Sequence, residues 1–166
     1  MPANKMLKKI NPDVSVNLIQ VTDMGPDLAI LLKEKVEQGE IIVIVGDRTS
    51  TTTASRSVQV PFLGKNAPFS QGPFILAALL DCPVYFLFCL KDKKSKKYQG
   101  IFEHYSQSLK MPRRERQQAL TLIITDYAQR LSYYAALYPY QWFNFYDFWK
   151  SDQQVVRDQS MENKCD

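Results

Sequence analysis

The sequence predicts an α/β fold: a mostly parallel central sheet flanked by helices, incomplete at its N-terminal side. Three observations carry that expectation. Residues 14–21 (VSVNLIQV) alternate apolar and polar side chains with the period of two of a half-buried strand. Residues 41–45 (IIVIV) are an unbroken β-branched run, the pattern of a strand covered on both faces. Between them, Leu28, Leu31, Leu32 and Val36 recur at helical spacing. Strand, helix and buried strand in succession make a βαβ unit, hence a parallel pair joined by a right-handed crossover.

The other elements follow in order. Gly25-Pro26 opens the first helix, because proline's missing donor is not needed at a first helical position. Asp27 sits in the positive first turn, and Gly39 is placed to end the helix in a left-handed conformation. After the Thr/Ser-rich loop 49–57 comes a short extended piece, Ser57–Phe62. Gly72-Pro73 then opens a helix over Phe74–Asp81. Val84–Leu90 reads as a second strand covered on both faces. Tyr98–Tyr105 pairs with it across the loop Lys91–Lys97. Arg113–Tyr138 is a long amphipathic helix whose stripe runs Leu120, Ile123, Ile124, Tyr127, Leu131, Tyr134, Tyr138. Pro139 ends it, and a compact aromatic block, Tyr140–Trp149, follows. This divides the chain into a polar lead (1–13), one domain (14–149) and a polar tail expected to be disordered (150–166). The hydrophobic strand at 14–21 has little before it, so it is either a simple sheet edge or the first element of a sheet whose earlier members this chain lacks. An exposed edge favours homo-oligomers through strand pairing.

Composition narrows the classes. At 166 residues the chain has room for one cored domain. The net charge of +4 is too small for a dedicated nucleic-acid binder, so no nucleic-acid partner is expected. Three cysteines (Cys82, Cys89, Cys165) without CxxC or Cys/His spacing argue against a disulfide scaffold and a zinc site and fit a reducing compartment. No apolar stretch approaches the ~20 residues of a membrane span, and the basic start is followed by Ile10-Asn11-Pro12-Asp13 rather than an apolar signal core.

Gly46-Asp47-Arg48 leaves the buried strand at its carboxyl end, where open α/β sheets bind ligands. There an Asp beside an Arg can order an anionic substrate; the plainer reading is a surface turn. Arg56 lies further along the loop, either adding positive charge for the substrate or simply solvated. The glycine cradles GxGxxG and GxxxxGK[ST] are absent, as is GxSxG. The single histidine, His104, falls on the Tyr98–Tyr105 strand with Leu109, not an acid, five residues on, so it reads as an edge residue rather than a general base. The loop Lys91–Lys97 holds five lysines, among them Lys93, Lys94, Lys96 and Lys97. A solvated turn is the plain reading; attraction to an anionic membrane or an acidic carrier protein is the functional one. Arg113, Arg114 and Arg116 gather at a helix start, the unfavourable end of the macrodipole, which argues for an external anionic partner. The stretch from Tyr138 to Trp149 holds eight aromatics in twelve residues. Helical spacing puts Trp142, Phe145, Tyr146 and Trp149 on a packing face and turns Tyr140, Phe143 and Phe148 outward, toward a bilayer interface or acyl chains.

The ordered set Gly46-Asp47-Arg48, Val60-Pro61-Phe62-Leu63-Gly64, Ala67-Pro68-Phe69, Gly72-Pro73 and Cys82-Pro83-Val84-Tyr85 resembles the lysophospholipid acyltransferase superfamily. Closest in pattern are the late acyltransferases of lipid A synthesis and their predicted glycolipid relatives. The ending Pro139, Gln141-Trp142 and Trp149 is similar to that branch's Pro-x-Gln-Trp signature. The resemblance spans residues 14–149.

It implies fatty acyl transfer from an acyl carrier protein or coenzyme A thioester, the acyl donor, onto a lipid or glycolipid hydroxyl, with no bound cofactor and no metal. It also implies peripheral association with the cytoplasmic side of a bacterial inner membrane. The substrate-side residues carried over are Asp47, Arg48, Phe62 and Gly64, with Arg56 nearby; the membrane or carrier contacts expected are Lys93, Lys94, Lys96, Lys97, Arg113, Arg114, Trp142 and Trp149. The family's base is the histidine of a His-x4-Asp/Glu motif that precedes the matched region, and this sequence contains no such motif. The chain is therefore expected to supply the substrate side of the site without the base. A non-catalytic membrane- or partner-binding module is the alternative.

Overall fold

A computed structural model describes residues 26–48, 57–144 and 147–149. The expected strand at 14–21, Arg56, Phe145, Tyr146 and the tail 150–166 lie outside the described residues.

Helix α1, Pro26–Glu37, starts on the proline and carries Asp27 in its first turn. It closes at Gly39, whose φ of +85° is a left-handed conformation and whose N–H reaches the Val36 carbonyl at 3.0 Å. Leu32 is its buried anchor, set against Leu76 and Leu80, with Leu28, Val36, Ile42 and Ile44 packed around them. Residues 41–45 then alternate: Ile42 and Ile44 face this cluster while Ile41, Val43 and Val45 are exposed. Alternation of this kind is that of an extended chain with one face covered, not two.

The expected parallel sheet is not found among the described residues. Their ladder pairs are two antiparallel hairpins. In the first, β1 (Ser57–Phe62) pairs with β2 (Lys65–Ser70), Phe62 opposite Lys65. The two turn residues, Leu63 (φ +48°) and Gly64 (φ +85°), are both left-handed, the arrangement whose twist matches the flanking strands. The Leu63 N–H donates to Ser132 Oγ at 3.3 Å. Helix α2, Gly72–Leu80, follows, with proline in its first turn and Asp81 left-handed after its end (φ +49°).

The second hairpin joins β3 (Val84–Lys91) and β4 (Tyr98–Ser106), with Tyr85 opposite His104 and Leu87 opposite Phe102. β3 was expected to be covered on both faces, but it alternates: Phe86 and Phe88 are buried while Tyr85, Leu87 and Cys89 are exposed. Its sequence is apolar at nearly every position, which hides the period of two. Helix α3, Arg116–Leu137, lies against β1 and buries Leu120, Ile123, Ile124, Ala128, Leu131 and Ala135. It stops just before Tyr138-Pro139.

The aromatic block after it is a run of turns rather than a helix among the described residues. Tyr140 and Phe143 do face outward, but Phe148, expected outside, is 2% exposed and seated between Phe62, Phe69, Trp142 and Trp149. Helical spacing does not apply where the backbone turns.

Candidate functional site

Gly46-Asp47-Arg48 is fixed from two directions. From α3, the Tyr127 ring lies so close that a Cβ on Gly46 would stand 2.9 Å from its Cζ. A side chain there would have to displace the ring or the turn. From the aromatic block, the Trp142 indole Nε1–H donates to Asp47 Oδ2 at 3.1 Å. The Arg48 guanidinium donates to the Phe143 carbonyl at 3.2 Å and to Asn144 Oδ1 at 3.5 Å, and its Nε is 3.7 Å from Asp47 Oδ1. The Asp47 side chain is only 16% exposed, whereas that of Arg48 is 48% exposed.

Asp47, Tyr127 and Trp142 line a cavity of about 750 Å³. Its walls come from residues 41–46, the start of α2, β3 and the inner stripe of α3, and they are predominantly apolar. That volume is ordinary for a small-molecule site, and a mostly apolar wall with few convergent polar groups is the usual construction. Burial, helped by the Asp47 charge, pushes the Tyr127 phenol well above its ordinary pKa. At neutral pH it is thus a hydrogen-bond donor near a carboxylate on the wall of an apolar hollow. Arg48, not itself a lining residue, carries positive charge beside Asp47, and its planar fork suits phosphate, carboxylate or a developing oxyanion.

The structure brings several expected site residues together and separates others. Trp142 bridges Asp47 and Phe62: its indole holds the carboxylate and its ring lies 5.0 Å from the Phe62 ring. Phe62 itself is a core residue at 1% exposure, with the Trp149 ring 6.1 Å away and the Trp149 Nε1–H donating to its carbonyl at 3.4 Å. Gly64 forms the β1–β2 turn. Arg113 and Arg114 are exposed on the turn before α3, while Lys93, Lys94, Lys96 and Lys97 sit beyond its other end. The 22 residues of α3 span about 33 Å, so the two basic groups are not one patch. His104 is exposed on β4, edge-on to Tyr85.

Three contributors to the site, Tyr127, Phe143 and Asn144, were not assigned to it in the sequence. Tyr127 is visible there as part of the helical stripe, but not as the neighbour of Gly46. Asn144 and the Phe143 carbonyl hold Arg48, and no local pattern announces that. Gln141 forms a two-point clamp on the β3 end: its Oε1 accepts the Lys91 N–H and its Nε2 donates to the Lys91 carbonyl, both at 2.7 Å. The Pro-x-Gln-Trp ending thus has a mechanical reading, with Gln141 gripping the hairpin and Trp142 gripping the Asp-Arg turn.

Among the described residues no helix is long and apolar enough to cross a membrane, and no cluster of side chains suits a metal ion. No curated protein and no solved structure matches the chain. The family model for bacterial lipid A biosynthesis acyltransferases does match, over residues 18–151, a region that contains the whole Asp47–Tyr127–Trp142 constellation. The chain therefore belongs to the bacterial lipid A biosynthesis acyltransferase family.

Proposed function

We propose that this chain forms the substrate-side wall of a lipid acylation site. Its reaction is transfer of a fatty acyl group from an acyl carrier protein or coenzyme A thioester to a lipid or glycolipid hydroxyl, at the cytoplasmic face of a bacterial inner membrane. The observation that supports it best is the Asp47–Arg48 pair, held by Trp142 and Asn144, with Asp47 on the wall of an apolar cavity of about 750 Å³. The cavity suits hydrocarbon, and Arg48 suits the negative charge that collects on the thioester carbonyl oxygen as an acceptor oxygen attacks. A base must take the acceptor's proton. His104, the only histidine, is exposed on β4 with Leu109 in the place where the family's pattern has an acid, which supports a base supplied from outside this sequence.

The test is an acyl-transfer assay with acyl carrier protein thioester and a lipid acceptor. The chain alone is expected to give no transfer, but to bind the thioester with a change in Trp142 fluorescence that Arg48→Gln weakens about tenfold. Robust transfer by the chain alone would show that it carries its own base. Thioester binding indifferent to Arg48→Gln would remove the substrate role of the pair.

A further inference from the structure

The lysine loop and the turn that carries the exposed aromatics Tyr140 and Phe143 adjoin. The Gln141 clamp on Lys91 sets the Pro139–Phe143 turn beside the β3–β4 loop. Lys93 Nζ lies 5.8 Å over the Tyr138 ring and Lys91 Nζ 5.5 Å over that of Tyr98. Around this junction Tyr140 is 87% exposed, Tyr98 74% and Phe143 61%.

The loop is built rather than loose. Asp92 Oδ1 accepts the N–H of Lys94 at 3.1 Å and of Ser95 at 2.6 Å, and the Asp92 N–H reaches the Lys97 carbonyl at 2.9 Å. These backbone donors turn the loop's only acid onto its own chain and hold its carboxyl below the usual range. Among the described residues no carboxylate forms an ion pair with Lys93, Lys94, Lys96 or Lys97. Four exposed lysines thus share one loop without an ion-paired carboxylate among the described residues, with exposed Tyr98 at its end and the Pro139–Phe143 turn beside it.

We propose that this surface docks on a bilayer rich in anionic phospholipid, the lysines reaching the headgroup phosphates and Tyr140, Tyr98 and Phe143 entering the interface. Composition favours lipid over a protein partner. Protein interfaces are depleted in lysine and use arginine, whereas clustered lysine with interfacial aromatics is the pattern of a membrane surface. The surface excludes Arg113 and Arg114, at the far end of α3, and Trp142 and Trp149, whose rings pack inward. Docking here rests on the membrane location in the proposed function and names the surface that serves it; because it requires neither donor nor acceptor, its failure is distinguishable from failure of acyl transfer.

The test is co-sedimentation of the full chain at low salt with vesicles of phosphatidylcholine alone or mixed equally with phosphatidylglycerol, and in parallel a pull-down with acyl carrier protein. Binding is expected only with phosphatidylglycerol. It should fall about fivefold per lysine when Lys93, Lys94, Lys96 and Lys97 are changed to Gln, by the usual strength of a lysine near anionic headgroups. Tyr140→Ser should weaken it severalfold, and Arg113→Gln with Arg114→Gln should leave it unchanged. Circular dichroism identical to that of the parent chain confirms that each variant is folded. Equal binding to both vesicle types, or equal loss from the arginine variant, would overturn the proposal. Lysine-dependent capture by the carrier protein without vesicle binding would overturn it in favour of a protein partner.

Discussion

Gly46 is defined by the ring opposite it. With Tyr127 Cζ 2.9 Å from where its Cβ would be, Gly46→Ala must push either the ring or the Asp-Arg turn aside. Overpacking of this kind costs about 1–3 kcal/mol, to be read from urea unfolding. Tyr127→Leu opens the space, so the double variant should lose less than the two single losses combined; strict additivity would mean the contact does not set the turn. The sequence showed both residues and not their meeting. Gly46 stood in a recognisable Gly-Asp-Arg block, and Tyr127 in a helical stripe whose period says which side faces inward. Periodicity carries no information about which distant segment that side touches. The same limit hid Asn144, whose amide oxygen steadies Arg48.

Between elements, the seam joining β4 to α3 is polar. Tyr105 donates to Asp126 at 2.8 Å, Tyr134 donates to Glu103, and Arg130 Nη1 stands 3.4 Å from Glu103. The hydrogen bond to Glu103, more than burial, pushes the Tyr134 phenol up to about 12 from 10.0. The folded state therefore holds this proton more tightly than the unfolded chain does. Its stabilising contribution is complete below pH 10 and is lost as pH rises toward about 12. Urea midpoints measured across that range should fall, and Tyr134→Phe should flatten part of the fall; an unchanged slope would separate the phenol from the seam. Elements of this kind were largely legible. The helices, β1, and the β3–β4 hairpin with its lysine loop follow from caps, periods and charge. β2 was missed because Lys65-Asn66-Ala67-Pro68 neither alternates nor favours a strand, and Pro68 argues against one. What makes it pair is the left-handed turn at Leu63-Gly64 and burial of Phe69.

Across the whole molecule, apolar surface is unevenly placed. Ile41, Val43 and Val45 from their segment and Leu87 and Phe102 from the second hairpin help line the cavity and are all exposed among the described residues. Patches of this kind promote association. Light scattering should show average mass rising with concentration, and Val43→Lys should suppress the rise; a constant monomeric mass for the unaltered chain would dismiss it. At the basic end, the chain tolerates little change in length. Gln141 and Trp142 are adjacent, yet they hold different bodies: the first closes on the Lys91 peptide and the second on the Asp47 carboxylate. Between such neighbours the spacing is a ruler with a single mark. One residue inserted between them would leave the polypeptide able to fasten the hairpin or the acidic turn, but not both at once.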